Sequence, residues 1–239
     1  MENITLSIFV PCFNEEKNIT QTLNNIKESI KNIDYEILVT DDASEDNTVE
    51  VVENFKKNNP NLNIKIFRNK KNQGLGYNYY ATAFKALGKY YMFVSGDAVE
   101  PPDTIKKIVS YIGKADMIIT YLGENDRRTF LRKMVSKIFV IILNLITFNN
   151  LKYYNGPNIH LLENVKLYSG RRSGFGYQAE LISALMIHKK TFIEVQIKNT
   201  NRQWGSTTAF TLRNILSVIR SIIIIFLNQI SYVMKKFLK

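Results

Sequence analysis

Strand-like and helix-like segments alternate through the first hundred residues, and this alternation constrains the fold more than any other feature of the sequence. Apolar residues at three- and four-residue spacing predict a first helix, and Asn14 is expected to be its N-cap. Four short apolar runs predict strands at 6–10, 35–40, 63–67 and 91–95. Strands that alternate with helices form parallel sheets with right-handed crossovers, so an α/β fold is expected.

Acidic residues follow three of these four predicted strands. Glu15 comes after the first strand, and Asp97 comes after the fourth. Asp41 and Asp42 end the second strand. Ligands of parallel α/β sheets bind at the carboxyl ends of the strands, which share one edge. Carboxylates suit ribose hydroxyls and hard divalent cations, so the pattern indicates a site for a nucleotide and a divalent cation.

Charge is distributed unevenly along the chain. Residues 1–126 contain 14 Lys or Arg and 18 Asp or Glu, whereas residues 127–239 contain 18 basic and 3 acidic residues. The basic second half is expected to meet an anionic partner, either phosphate groups or a membrane surface, or to be a solvated basic surface. Nucleic acid is not an expected partner, because the basic residues lie among apolar runs and no base-reading module is recognisable.

Cysteine usage and the N-terminus bear on the compartment. Cys12 is the single cysteine, which excludes an internal disulfide and suits a reducing compartment. No basic segment precedes the first predicted strand, so no signal peptide is expected. We find neither repeats nor a linker, and we expect one catalytic domain over 1–211.

The remaining segment, 212–239, is a helix candidate. Its polar residues fall into a narrow stripe on an otherwise apolar helix, and no acidic residue follows Glu194. The uncharged run 221–234 is shorter than the roughly 20 residues that cross a bilayer. We therefore expect a basic amphipathic helix in the membrane interface, peripheral or monotopic, on the cytoplasmic face. The alternative is a helix that packs on the protein or on a second copy in a homo-oligomer.

Several motifs resemble those of the family-2 glycosyltransferases in order and spacing. They are Val-Pro-Cys-Phe-Asn-Glu at 10–15, Asp-Asp-Ala-Ser-Glu-Asp at 41–46, Asn-Gln-Gly-Leu-Gly at 72–76, and Gly-Asp at 96–97 before Pro-Pro at 101–102. Two later motifs resemble the branch around dolichol-phosphate mannosyltransferase: Gly-Phe-Gly-Tyr-Gln-Ala-Glu-Leu at 174–181 and Arg-Gln-Trp-Gly-Ser at 202–206. The resemblance implies a GT-A fold, a nucleotide-sugar donor linked to UDP or GDP, and Mg²⁺ or Mn²⁺.

The resemblance also implies roles for individual residues. Donor binding would fall to Pro11, Phe13, Glu15, Asp41, Asp42, Gly96 and Ser206. Asp97 would bind the metal, and Arg202 would close over the diphosphate or the acceptor phosphate. An acceptor phosphate would meet Arg127, Arg128 and Arg132. The sequence departs from the family pattern at Ser95, where an aspartate is usual, so one metal carboxylate is missing.

The predicted reaction is an inverting single displacement at the anomeric carbon, with a nucleoside diphosphate as leaving group. Asp97 with its metal and Arg202 would stabilise the developing negative charge. A polyprenyl or dolichyl phosphate is the expected acceptor, since an anionic phosphate oxygen needs no general base. A hydroxyl of a polysaccharide or lipid-linked oligosaccharide is the alternative, with Glu180 as the base. A third interpretation is a non-enzymatic nucleotide-binding or scaffold protein.

Overall fold

The computed structural model describes residues 4–123, 126, 129–168, 174–204 and 211–237, with the backbone alone for Arg213 and Phe237. The strands in this part of the chain are β1 (Leu6–Cys12), β2 (Tyr35–Asp41), β3 (Ile64–Arg68), β4 (Tyr90–Phe93), β5 (Met117–Leu122), β6 (Ile159–Leu161) and β7 (Phe192–Ile197). The helices are α1 (Ile19–Ser29), α2 (Thr48–Asn58), α3 (Leu75–Ala83), α4 (Pro102–Val109), α5 (Phe130–Thr147), α6 (Leu162–Leu167), α7 (Tyr177–Ile187) and α8 (Leu212–Phe237).

The strands form one sheet in the order β3-β2-β1-β4-β6-β5-β7. The short strand β6 runs antiparallel to both of its neighbours, and the other pairs are parallel. The expected mostly parallel α/β sheet is therefore confirmed. Each of the first three crossovers passes through a helix, which is the connection that parallel strands require.

Helices cover both faces of the sheet, and each face has its own apolar core. The pleat of β1 shows the division, because Ile8 and Val10 belong to the core beneath α1, α2 and α4. Phe9 points to the opposite core, to which α3, α5, α6, α7 and α8 contribute. Five helices thus share the second face, and two of them, α5 and α8, lie at its outer side with most of their apolar residues exposed.

The first helix begins later than the sequence suggested. The expectation that Asn14 caps this helix is wrong, because α1 begins at Ile19 and Asn18 precedes it. Asn14 instead has a left-handed backbone, with φ of 57°, and its side-chain oxygen accepts a hydrogen bond from the Glu45 N–H at 2.9 Å. Its polar side chain therefore joins two loops rather than starting a helix.

The C-terminal segment forms the expected helix, α8. The most apolar 18-residue window within residues 214–236 has a mean hydropathy of 1.7, so this stretch is long and apolar enough to cross a membrane by length and composition. The expectation of an interfacial helix rested on the uncharged run 221–234, which by itself is shorter than a span. Only 11% of the most apolar window is buried within the protein. Length alone therefore permits either a span or an interfacial helix, and the packing of α8 has to decide between them.

Candidate active site

The carboxyl ends of β1, β2 and β4 meet at one edge of the sheet. In the register, Cys12 lies beside Asp41, and Phe9 lies beside Phe93. The acidic residues that follow these strands consequently gather at this edge, as expected for parallel strands.

The backbone is strained at the same edge. Asn14, Ala43 and Ala98 follow β1, β2 and β4, and their φ values are 57°, 66° and 58°. A left-handed conformation costs a non-glycine residue about 1–2 kcal/mol. Such strain is kept where the surroundings enforce it, and it concentrates at ligand sites. Three such residues at three neighbouring strand ends support this edge as the functional site.

Arg202 links two of the acidic residues. One guanidinium nitrogen lies 2.8 Å from Oε1 of Glu15, and the other terminal nitrogen lies 3.6 Å from Oδ2 of Asp97. The Glu15 side chain is nearly buried, and its other oxygen accepts a hydrogen bond from Asn18 Nδ2 at 2.7 Å. Burial raises the pKa of Glu15 above its usual value, while Asn18 and Arg202 oppose that rise. A charged group from the C-terminal part of the chain thus reaches two strand ends at once.

Hydrogen bonds with α1 and with the buried Glu100 carboxylate hold the loop that carries Asp97. Thr22 on α1 donates to the Gly96 carbonyl at 3.0 Å, and Asn25 donates to the Glu100 carbonyl at 2.9 Å. The Glu100 carboxylate, buried beneath the loop, accepts a hydrogen bond from the Ser95 N–H at 3.1 Å. Burial, with a smaller effect from Asp97, raises the pKa of Glu100 to about 8. Glu100 therefore supports the loop from its inner side and does not face solvent.

Gly96 is required by close packing. A Cβ atom at this position would lie 2.5 Å from the carbonyl oxygen of Pro11. Both residues were predicted to bind the donor, and the structure brings them into contact. The contact sets the distance between the ends of β1 and β4, and hence the separation of Glu15 from Asp97.

Asp41 and Asp42 mainly hold loops together. Asp42 accepts hydrogen bonds from the backbone N–H groups of Gln73 and Gly74 at 2.8 and 2.9 Å, and from Asn69 Nδ2 at 2.8 Å. Asp41 is fully buried, and both of its oxygens accept from the Ser44 N–H. Most of the acceptor capacity of the two carboxylates is therefore used within the protein. Their predicted contact with a base or ribose remains a prediction.

A cavity of about 370 Å³ opens beside these aspartates and is lined by Ala43, Ser44, Arg68, Asn69 and Lys70. The cavity is a shallow pocket that is largely open to solvent. Arg68 and Asn69 were not predicted as site residues, although Arg68 ends β3 and Asn69 follows it. Their position at the carboxyl end of a predicted strand is the signal that could have identified them. Phe13, at the same edge, is 43% exposed and offers an aromatic face to a ligand.

Two of the remaining predicted site residues lie on helices α5 and α7, and the others lie outside the described part of the chain. Arg127, Arg128 and Ser206 lie outside the described residues. Arg132 is half-buried in the first turn of α5. Glu180, on α7, accepts a hydrogen bond from the hydroxyl of Ser221 on α8 at 2.5 Å. The structure thus ties Glu180 to the C-terminal helix, and its role as a base remains a prediction.

The donor set at this edge suits a divalent cation only in part. Within the described residues, no three His, Cys, Asp or Glu side chains are arranged to hold a metal. Oδ1 of Asp97 is buried and has no hydrogen-bond partner among these residues, so one carboxylate oxygen is available. Mg²⁺ is commonly bound by one or two carboxylates together with substrate phosphates. The residues therefore fit a cation that arrives with a diphosphate, with Asp97 as the protein ligand.

Solved structures of glycosyltransferases share this architecture. The crystal structure of S. aureus TarS in complex with UDP-GlcNAc matches with a TM-score of 0.66 at 20% identity, over 94% of this chain and 67% of that one. Pyrobaculum calidifontis PcManGT, a mannosyltransferase in complex with GDP-Man and Mn²⁺, matches with a TM-score of 0.63 at 16% identity, over 82% of this chain and 56% of that one. At these identities the likeness concerns the fold, and it confirms the expected GT-A fold.

Sequence comparison gives relatives with named activities. A dolichol-phosphate mannosyltransferase from Pyrococcus furiosus is 27% identical over 142 residues, which are 57% of this chain and 40% of the relative. A dolichyl-phosphate beta-glucosyltransferase from Dictyostelium discoideum is 29% identical over 171 residues, which are 64% of this chain and 52% of the relative. The match thus covers about half the length of these two relatives. The model of the family described as Glycosyl transferase family 2 matches residues 7–175, most of the chain, and the chain therefore belongs to glycosyl transferase family 2.

Proposed function

We propose that this protein transfers a sugar from a nucleotide-sugar to a polyprenyl or dolichyl phosphate, with inversion at the anomeric carbon. The observation that carries the proposal is the bridge that Arg202 makes between Glu15 and Asp97 at the carboxyl edge of the sheet. The bridge places the guanidinium, a cation with paired N–H groups, beside the carboxylates that are expected to hold the nucleotide-sugar and its metal. The family membership and the dolichyl-phosphate relatives support the same reaction.

The donor would lie along the strand ends, with its nucleoside in the cavity beside Arg68 and Asn69. Phe13 and the Glu15 carboxylate would border the nucleoside from the β1 side, where Pro11 contacts Gly96. Both UDP and GDP donors fit this proposal, because the structural relatives were crystallised with each.

The diphosphate would lie between Asp97 and Arg202. Asp97 would hold a divalent cation, which would supply positive charge where the leaving group becomes more negative. Arg202 adds paired N–H donors, which match the geometry of a phosphate group. Its side chain is 24% exposed, so water screens these contacts only partly. Preorganised donors of this kind make a large contribution to catalysis.

The acceptor phosphate oxygen attacks the anomeric carbon as the bond to the diphosphate breaks. The products are the lipid-linked phosphosugar and the nucleoside diphosphate. This oxygen is anionic at neutral pH and needs no base. The 18 basic residues in 127–239 supply the charge that such an acceptor requires, with Arg127, Arg128 and Arg132 as the proposed contacts. The lone buried thiol of Cys12 suits a reducing compartment, and we place the reaction at the cytoplasmic face of a membrane.

The test is the release of nucleoside diphosphate from a panel of UDP- and GDP-sugars with Mg²⁺ or Mn²⁺, with and without polyprenyl phosphate in detergent. We expect one donor to give release that depends on the lipid phosphate. Donor binding without lipid-stimulated release would contradict the proposal. Release stimulated by a sugar hydroxyl would then favour the hydroxyl reaction, with Glu180→Gln as the next variant.

A further inference from the structure

The polar stripe of α8 faces the protein and not the solvent near its middle. Ser221 is 1% exposed and donates to Glu180, and the Ser217 hydroxyl accepts a hydrogen bond from the Phe175 N–H at 2.8 Å. A Cβ at Gly174 or Gly176 would lie 2.2 or 2.4 Å from these serine hydroxyls. The helix therefore packs closely against the segment that leads into α7, and at these positions its polar stripe faces that segment.

The opposite face of α8 is apolar and exposed. Nine large apolar side chains on this face are between 38% and 72% exposed: Leu212, Ile215, Leu216, Ile219, Ile223, Phe226, Leu227, Ile230 and Met234. They recur at three- and four-residue spacing, which makes one continuous stripe along the helix. Exposed contiguous apolar surface of this length marks an interaction site.

Helix α5 extends this surface. Seven of its apolar side chains are between 43% and 82% exposed: Phe130, Leu131, Met134, Val135, Ile138, Ile141 and Leu145. Its inner side packs into the core that also contains Ile222 and Ile225 of α8, and the two helices contact each other. We refer to the exposed apolar side chains of α5 and α8 together as the two-helix face.

The charges of these helices indicate what covers the two-helix face. They carry seven cationic residues and no Asp or Glu: Arg132, Lys133, Lys137, Arg213, Arg220, Lys235 and Lys236. A second copy of the chain would bring an equally basic surface against this one, and the two would repel. An anionic lipid surface attracts it, at about 1 kcal/mol for each basic residue near the headgroups.

The packing of α8 also distinguishes an interfacial helix from a span. Its contacts with the catalytic domain extend from Ser217 to Ile225, which is 1% exposed. The stretch that is long and apolar enough to cross a bilayer, 214–236, includes these contacts. A span formed by this stretch would therefore strip the Ser217 and Ser221 hydrogen bonds from the protein.

We propose that α5 and α8 lie together in the plane of an anionic membrane and dock the catalytic domain on it through the two-helix face. The biological reason for this docking rests on the proposed function. The evidence for it is the exposed apolar surface of the two helices. Helix α5 begins just after Arg128, and α8 begins shortly after Ser206. In the sequence, each helix thus follows a segment that carries residues expected to bind phosphate.

The test is co-sedimentation of the full chain with vesicles of equal parts phosphatidylcholine and phosphatidylglycerol, and with vesicles of phosphatidylcholine alone. Wild type should prefer the anionic vesicles by about tenfold or more. Replacement of Leu131, Ile138 and Leu145 by Gln should weaken binding by at least about tenfold, since each side chain is half or more exposed. The control variant changes Phe84 and Leu87 to Gln, which are similarly exposed but lie outside the two helices, and it should bind like wild type.

Three results would overturn the proposal. Wild-type binding by the α5 variant would exclude α5 from the membrane contact. Retention of wild type in the pellet after alkaline carbonate extraction would show a span. Dimerisation in solution without vesicle binding would assign the face to a second copy. If the triple variant is misfolded, Leu145→Gln alone, at a side chain 71% exposed, repeats the test. Lipid-phosphate-dependent release in detergent should survive in either variant, so failure of docking and failure of the proposed function are distinguishable.

Discussion

Replacement of Arg202 by Ala tests how the site handles negative charge. The guanidinium lies 2.8 Å from Glu15 and 3.6 Å from Asp97. A diphosphate that binds Arg202 must replace these two ion pairs. The free-energy cost of breaking them offsets part of the binding free energy that the diphosphate gains from Arg202. The stabilisation of the leaving group has no such offset, because its charge grows only as the bond breaks.

The expected loss therefore falls on turnover. Removal of one preorganised donor to a developing negative charge lowers kcat by about 10²–10³-fold, or about 2.7–4 kcal/mol. The KM for the donor should change by less than about threefold, since uniform binding contributes little here. R202K keeps the charge but loses the forked geometry of the guanidinium, and its kcat should lie between those of wild type and R202A.

The same variant predicts a change in metal dependence. Arg202 neutralises Asp97 from 3.6 Å, and two unit charges about 4 Å apart interact by about 4 kcal/mol at an effective dielectric of about 20. Partial exposure to solvent reduces this interaction energy, and a third of it still corresponds to a change of about tenfold in the affinity for the metal. The Mn²⁺ concentration for half-maximal activity should consequently fall in R202A.

The assay is steady-state release of nucleoside diphosphate with donor, Mn²⁺ and lipid phosphate varied in turn. K114A is the matched control, because Lys114 lies over the Tyr111 ring just before β5, at the opposite edge of the sheet. Equal kcat values for R202A and K114A would refute the assignment of Arg202 to the leaving group.

Three further predictions concern the support of the site. Burial raises the pKa of Glu100 to about 8 from 4.5, so the folded state loses stability as pH rises through this window. Without divalent cation, E100Q should have a higher Tm than wild type above about pH 8, and the gap should close towards pH 4.5; parallel Tm profiles would contradict this. G96A should lower both Tm and donor affinity, because its Cβ would lie 2.5 Å from the Pro11 carbonyl oxygen. An unchanged Tm and an unchanged donor affinity, both measured by calorimetry, would count against that packing. D42A removes the acceptor of three hydrogen bonds and should lower the free energy of unfolding by about 2–3 kcal/mol in urea titrations. A loss below about 0.5 kcal/mol would show that the 73–74 loop does not depend on these hydrogen bonds.

The fold was predictable because its signals are local and repeated. Apolar runs of strand length alternate with helical spacing, and this pattern fixes the parallel sheet and the edge at which Glu15 and Asp97 meet. The start of α1 was not predictable in this way. Asn14 has the side chain of an N-cap, but the interaction that uses it is a long-range bond to Glu45. Sequence spacing does not contain that contact.

The sequence predicted that Glu15 and Asp97 lie at one edge of the sheet, but it did not predict which contacts the individual side chains make. Asp42 was expected at a base or ribose, and the structure shows it bound to backbone N–H groups of another loop. Arg202 was expected near phosphates, but its bridge between two strand ends depends on a chain separation of 187 residues from Glu15. The direction of the Ser217 and Ser221 stripe likewise depends on tertiary packing, because a polar stripe faces inward when glycines allow a close approach.

The most direct test of the central claim is phosphorus NMR of the lipid product. Transfer to a polyprenyl phosphate converts its phosphomonoester into a phosphodiester that carries the sugar, and one nucleoside diphosphate is released for each diester formed. We expect this conversion with wild type and its near loss with R202A. Nucleoside diphosphate release with the lipid still a phosphomonoester would contradict it.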